Sequence, residues 1–114
     1  MIKIRFGILI GSPSPSINGI FLRARKAEEN SFDSLWIADH LLSFTGPCPE
    51  AWSILVALAT TTNKLLLGTA VSDPHRRNPA LLAQTVVTID QISGGRVNCW
   101  FRSGGSYEFR PFWI

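Results

Sequence analysis

Asp39 and His40 are the adjacent pair in this sequence best suited to move a proton. An imidazole titrates near neutral pH, and a neighbouring carboxylate can raise its pKa and orient the ring. The pair closes the apolar run that begins at Ser34. Successive side chains of a strand point to opposite faces, so the two cooperate only if the chain has left strand geometry by His40. The plainer reading is a turn-capping aspartate beside an exposed histidine, and spacing alone leaves both open. A second polar cluster runs from Ser72 to Arg77. Asp73-Pro74 is an ordinary turn starter. Arg76 and Arg77 could meet an anionic ligand, although a solvated loop is the simpler reading. Cys48 and Cys99 lack metal-ligand spacing and read as two reduced thiols.

The elements that must position these groups alternate. Lys3 to Gly11 reads as a buried strand ending in a Gly-Ser-Pro turn. Ser16 to Asn30 has helical spacing, with Ile17, Ile20, Phe21, Ala24 and Ala27 on one face. Asn30-Ser31 ends it, because asparagine tolerates a left-handed conformation. Ser34 to Asp39 is a second strand. Pro49 suits the first position of a second helix, with Glu50 near its positive end. Trp52, Leu55, Leu58, Ala59 and Thr62 form that helix's inner face. Leu65 to Val71 is a third strand. Asn78-Pro79 starts a third helix whose inner face is Leu82, Val86, Ile89 and Ile92, and Gly94-Gly95 stops it. Arg96 to Phe101 is a fourth, shorter strand.

The order βαβαβαβ predicts a parallel α/β sheet with right-handed crossovers. The strands are near-continuous apolar runs, which predicts cover on both faces. An open doubly wound sheet and part of a (β/α)₈ barrel both fit. The absence of a GxGxxG fingerprint after the first strand argues against a dinucleotide fold. A full barrel needs roughly 250 residues, so 114 residues in a single domain, 1–114, make about half of one. In either fold ligands sit at the carboxyl ends of the strands. Gly11-Ser12, Asp39-His40, Ser72-Asp73 and Ser103-Gly104-Gly105 therefore gather on one rim.

Apolar residues are 46% of the chain and charged residues 17%, a composition for a packed core. A net charge of +3 with scattered basic residues argues against a nucleic-acid partner. No apolar stretch approaches the ~20 residues of a membrane span, and no signal peptide opens the chain, so a cytoplasmic protein is expected. The tail Pro111-Phe112-Trp113-Ile114 brings no helix to cover the fourth strand. Self-association through exposed strands is one expected consequence.

Several segments in order resemble a known family: Phe32-Asp-Ser-Leu-Trp-Ile-Ala-Asp-His40, Pro49-Glu-Ala-Trp52, Leu67-Gly-Thr-Ala-Val71, Asp73-Pro74, Arg77, Pro79-Ala80, Gln84 and Thr88-Ile-Asp-Gln-Ile-Ser-Gly-Gly-Arg96. Together they resemble the bacterial-luciferase-like superfamily, and within it the deazaflavin branch of methylenetetrahydromethanopterin reductase and its relatives. The resemblance implies the N-terminal half of a TIM (β/α)₈ barrel binding coenzyme F420, with FMN as the alternative. It implies hydride transfer between deazaflavin and a small carbon substrate, with His40 carrying the proton and Asp39 orienting ring or histidine. The FMN alternative would be a luciferase-like monooxygenase. The resemblance further implies a cis peptide at Ala70–Val71 backing the ring, with Ser72 at the ring's edge and Ser103 and Gly104 in contact with it. Trp100 and Arg102 stand where the family has glycines, and Gly105 where it has a glutamate. These departures and the missing second half predict no turnover from the chain as written. They also keep a non-catalytic remnant or a self-associating half-barrel as the rival reading.

Overall fold

The apolar runs condense into one sheet because each is too short to bury itself and each is followed by an amphipathic helix that can cover it. A computed structural model describes residues 2–11, 15–43, 45–46 and 48–102. The elements are β1 (Gly7–Ile10), α1 (Ile17–Glu29), β2 (Ser34–Ile37), α2 (Ala51–Thr61), β3 (Leu66–Ser72), α3 (Pro79–Ser93) and β4 (Val97–Phe101). The strands lie in the order β1-β2-β3-β4, every neighbouring pair parallel. This is the sequential α/β arrangement expected of half a (β/α)₈ barrel.

Local chemistry sets the helix ends. The Ser16 hydroxyl caps α1 by accepting from the Gly19 N–H, and Asn78 caps α3 by accepting from the Ala80 and Leu81 N–H groups. Pro79 fills the first turn of α3, where its missing N–H costs nothing. Gly94 ends α3 at φ 71°, in the left-handed region.

Several boundaries depart from the sequence expectation. The first strand begins at Gly7 rather than Lys3, and Ile2, Ile4 and Phe6 are exposed. The second ends at Ile37 rather than Asp39. At the end of α1 the left-handed residue is Ser31, at φ 59°, not Asn30. Pro49 precedes the second helix, because the Glu50 carboxylate takes the capping role by accepting from the Trp52 and Ser53 N–H groups. Ile92 is exposed rather than on the inner face of α3.

The core lies between sheet and helices. Ile10, Leu35, Ile37, Leu65 and Leu67 face Ile20, Ala24, Trp52, Leu55, Leu58, Leu82 and Ile89. Fully burying each large aliphatic side chain contributes about 1.5–3 kcal/mol. The opposite sheet face departs from expectation. Among the described residues nothing covers it, and Leu9 and Trp100 remain 58% and 62% exposed.

Two polar staples close the end of the sheet away from the carboxyl rim. One Glu28 carboxylate oxygen accepts from the backbone N–H groups of Asn63, Lys64 and Leu65. The Arg96 guanidinium donates to the carbonyls of Ala59, Thr62, Leu65 and Ser93 and to the Thr62 hydroxyl. It thereby satisfies carbonyls that the end of α2 leaves without helical partners.

Candidate functional site

The site starts from an irregularity in β3. Thr69 pairs with Cys99, yet the next matched pair is Ser72 with Phe101, so three steps along β3 oppose two along β4. Within this bulge the Ala70–Val71 peptide is cis. A bulge re-aims the side chains beyond it. Here Thr69 and Ser72, three residues apart, both bury their hydroxyls on the helix side, 3.0 Å from each other. Ala70 and Val71 are left to the open face.

On that face Ala70 and Val71 border a hollow of about 230 Å³, lined also by Leu9, Trp36, Thr69 and Trp100. Trp36 and Trp100 meet edge to face, with centroids 6.1 Å apart. Trp36 reaches across β3 because residue 68 is glycine. A Cβ there would come within 2.6 Å of the Trp36 ring and 2.5 Å of the Asn98 carbonyl oxygen. The Trp36 indole N–H donates to the Ser34 hydroxyl, 2.9 Å away. The floor and walls are thus apolar side chains around a backbone amide, a surface suited to a flat aromatic ring.

Behind the bulge lies a polar layer. Trp52 Nε1 donates to Ser72 Oγ at 2.9 Å, and Ser72 donates to Asp39 Oδ2 at 2.8 Å. A serine hydroxyl has one proton and two lone pairs. Its proton goes to the carboxylate, so in the Thr69–Ser72 contact Thr69 is the donor and Ser72 is fully satisfied. Asp39 is also gripped by Arg77, Nε at 3.1 Å and Nη2 at 2.7 Å, and by Arg76 Nη2 at 3.2 Å. Arg76 additionally donates to the Asp39 backbone carbonyl. Arg77 Nη2 reaches on to Glu50 Oε1 at 2.5 Å. Burial opposes charge on Arg77, but the hydrogen bonds and charges of Asp39 and Glu50 outweigh it and raise its pKa. Burial likewise pushes Glu50 up. Hydrogen bonds from Ser53 and Arg77 win and hold it below the ordinary carboxylate value.

The expected site residues therefore divide. Ala70 and Val71 line the hollow. Asp39 and Ser72 are brought together behind it, side chains turned to Trp52 and the arginines rather than into it. His40 lies beyond the end of β2, half-buried, its carbonyl accepting from the Cys48 thiol at 3.1 Å. Ser103 and Gly104, with Ser12 and Gly105, lie outside the described residues. The solvated loop expected for Arg76 and Arg77 is overturned. The Arg76 side chain is 9% exposed, because Asp39 recruits both guanidinium groups. Asp73 does start a turn, its carboxylate accepting from the His75 N–H.

Composition and spacing did not single out Thr69, Trp52, Glu50, Gly68 or Trp100 as parts of one site. Gly68 inside an apolar run carried a usable signal, since a glycine in a strand marks a bulge or a close approach. Trp52 gave none, because its ring belongs to the core and only its N–H is spent on the site.

The family model described as luciferase-like monooxygenase matches residues 1–110. The chain is 38% identical over 84 residues to a 5,10-methylenetetrahydromethanopterin reductase of Methanolobus tindarius, covering 74% of this chain and 24% of that protein. It is 39% identical over 85 residues to an F420-dependent glucose-6-phosphate dehydrogenase of Amycolatopsis mediterranei, covering 71% and 26%. Among solved structures, an F420-dependent secondary alcohol dehydrogenase in complex with an F420-acetone adduct superposes with a TM-score of 0.88 at 28% identity, over 97% of this chain and 35% of that one. The chain thus spans about a quarter of the length of the curated relatives it matches.

Proposed function

Because the chain belongs to the luciferase-like monooxygenase family, we propose that it forms one wall of a coenzyme F420 site in an oxidoreductase acting on a small carbon substrate. The observation that carries this reading is the apolar hollow at the β3 bulge, where Ala70 and Val71 face Trp36 and Trp100. Its chemistry fits a flat, largely apolar ring. At about 230 Å³ it is smaller than the ~300–1,000 Å³ of a complete ligand pocket, as one wall of a larger site should be. When bound, the deazaflavin would supply a two-electron hydride carrier.

The chain's own residues orient and exchange protons. His40, just past the end of β2, holds or releases the proton that accompanies hydride transfer. Asp39 is a positioning residue, its carboxylate occupied by Ser72, Arg76 and Arg77, and its carbonyl tied to Arg76. That grip fixes the backbone from which His40 springs. These 114 residues span about a quarter of the relatives, so turnover from them alone is not expected.

The family's monooxygenase description favours one second reading, an FMN site at the same hollow. Parallel titrations with coenzyme F420 and FMN, followed by cofactor fluorescence, separate the two. Saturable binding with F420 the tighter ligand is expected. Tighter FMN binding would turn the assignment to the monooxygenase reading, and binding of neither would contradict a ring site.

A further inference from the structure

A regular strand would send Thr69 and Ser72 to opposite faces, three residues being an odd number of steps. Instead both hydroxyls lie on the helix side, 3.0 Å apart and fully buried. The one-residue excess of β3 over β4 falls between them. The two hydroxyls thus close the bulge from behind like a clasp, and the Ala70–Val71 segment stands forward into the hollow. The clasp is itself held. Trp52 of α2 donates to Ser72, and Ser72 donates to Asp39 at the end of β2.

We propose that the Thr69–Ser72 hydroxyl clasp, anchored by Trp52 and Asp39, is the positioning device that sets how far the Ala70–Val71 segment projects into the hollow and thereby seats the ring. This deepens the ring-site reading and rests on it for the ligand, but the placement of the segment is measurable without one. Thr69 borders the hollow, but both clasp hydroxyls are buried behind it and act through the backbone between them. Each link is a single hydrogen bond in a buried set, so removing one donor leaves its partner one bond short in a dry setting.

The test uses Ser72→Ala, and Trp52→Phe, which keeps an aromatic ring in the core but removes the indole N–H together with part of the bicyclic ring. A remote control, Thr62→Val, removes a buried hydroxyl that serves Arg96. Amide signals of Ala70 and Val71 and the Trp100 indole signal are followed by NMR without ligand, and coenzyme F420 affinity by fluorescence titration. Both clasp variants should move those signals and weaken F420 binding about tenfold. Thr62→Val should lower the melting temperature and leave signals and affinity in place, a split that a merely structural role of the clasp does not produce. Unmoved signals, or clasp variants that bind F420 as the parent does, overturn the proposal. Should the parent bind no F420, the ring-site reading fails separately. The clasp is then judged on the ligand-free signals, whose movement supports it and whose stillness overturns it.

Discussion

Arg77 Nη2 lies 2.7 Å from Asp39 Oδ1 and 2.5 Å from Glu50 Oε1, so one guanidinium ties the end of β2 to the start of α2. The Asp39 side chain is almost wholly buried, whereas Glu50 is half exposed. The first contact therefore carries most of the energy, since exposed pairs contribute little.

Replacing Arg77 by alanine strips Asp39 of its two-pronged partner in a dry setting. Breaking such a pair costs about 3–5 kcal/mol. Arg76 still holds the carboxylate, so a loss of about 2 kcal/mol is expected for Arg77→Ala in urea unfolding. Arg77→Lys should recover only part, because an ammonium cannot reproduce the fork. An unchanged midpoint in Arg77→Ala would count against the network.

Arg96 predicts stability without function. Its guanidinium joins α2, α3 and the entry to β3 and β4 through five acceptors. Arg96→Ala should destabilise by about 2–4 kcal/mol, as several charge-assisted bonds are lost together. Coenzyme F420 affinity, measured where the variant remains folded, should be unaltered. A variant as stable as the parent would contradict the role.

Acid sensitivity follows from Glu28 and Glu50. Burial alone would raise Glu28, but the N–H groups of Lys64, Asn63 and Leu65, with the charge of Arg96, hold it below its ordinary 4.5. A carboxylate depressed in the folded state binds its proton more readily when unfolded. Its stabilisation is present above the unfolded pKa and is lost as pH falls through the folded one. Urea midpoints should therefore drop as pH falls below about 4.5, and Glu28→Gln should flatten that slope. An equal slope in parent and variant would show that Glu28 contributes nothing.

Cys99 should be a sluggish thiol. Burial pushes its pKa up to about 11, and the charge of Asp39 adds to the shift. The thiolate is the reactive form, so alkylation at neutral pH should be far slower than for a free cysteine and should accelerate up to about pH 11. Mass-spectrometric timing of iodoacetamide labelling at Cys99 checks this. Labelling at the free-cysteine rate near pH 7 would refute it.

Much of the fold could be read from local chemistry. Asn78-Pro79 and Gly94 bound α3 because capping depends only on residues a few positions apart. The alternation of apolar runs with helical stripes gave strand direction by connection rules alone, while the strand order stayed open between a doubly wound sheet and a barrel. The polar layer was hidden because its partners are far apart in sequence. Arg77 and Asp39 are 38 residues apart, and Trp52 and Ser72 are 20 apart. Arg76-Arg77 next to a turn looked solvated for the same reason. The size of Trp100 did not reveal that its side of the sheet is open among the described residues. The Ala70–Val71 bond was legible only through family resemblance, since nothing in Thr-Ala-Val-Ser itself demands a cis peptide.

The central claim is that the hollow at the β3 bulge seats a deazaflavin ring. Mapping amide and indole NMR signals of the chain during addition of coenzyme F420 tests it most directly. Saturable shifts centred on Ala70, Val71, Trp36 and Trp100, with the Glu28 and Arg96 region unmoved, are predicted. Saturable shifts that leave those four residues still would contradict it.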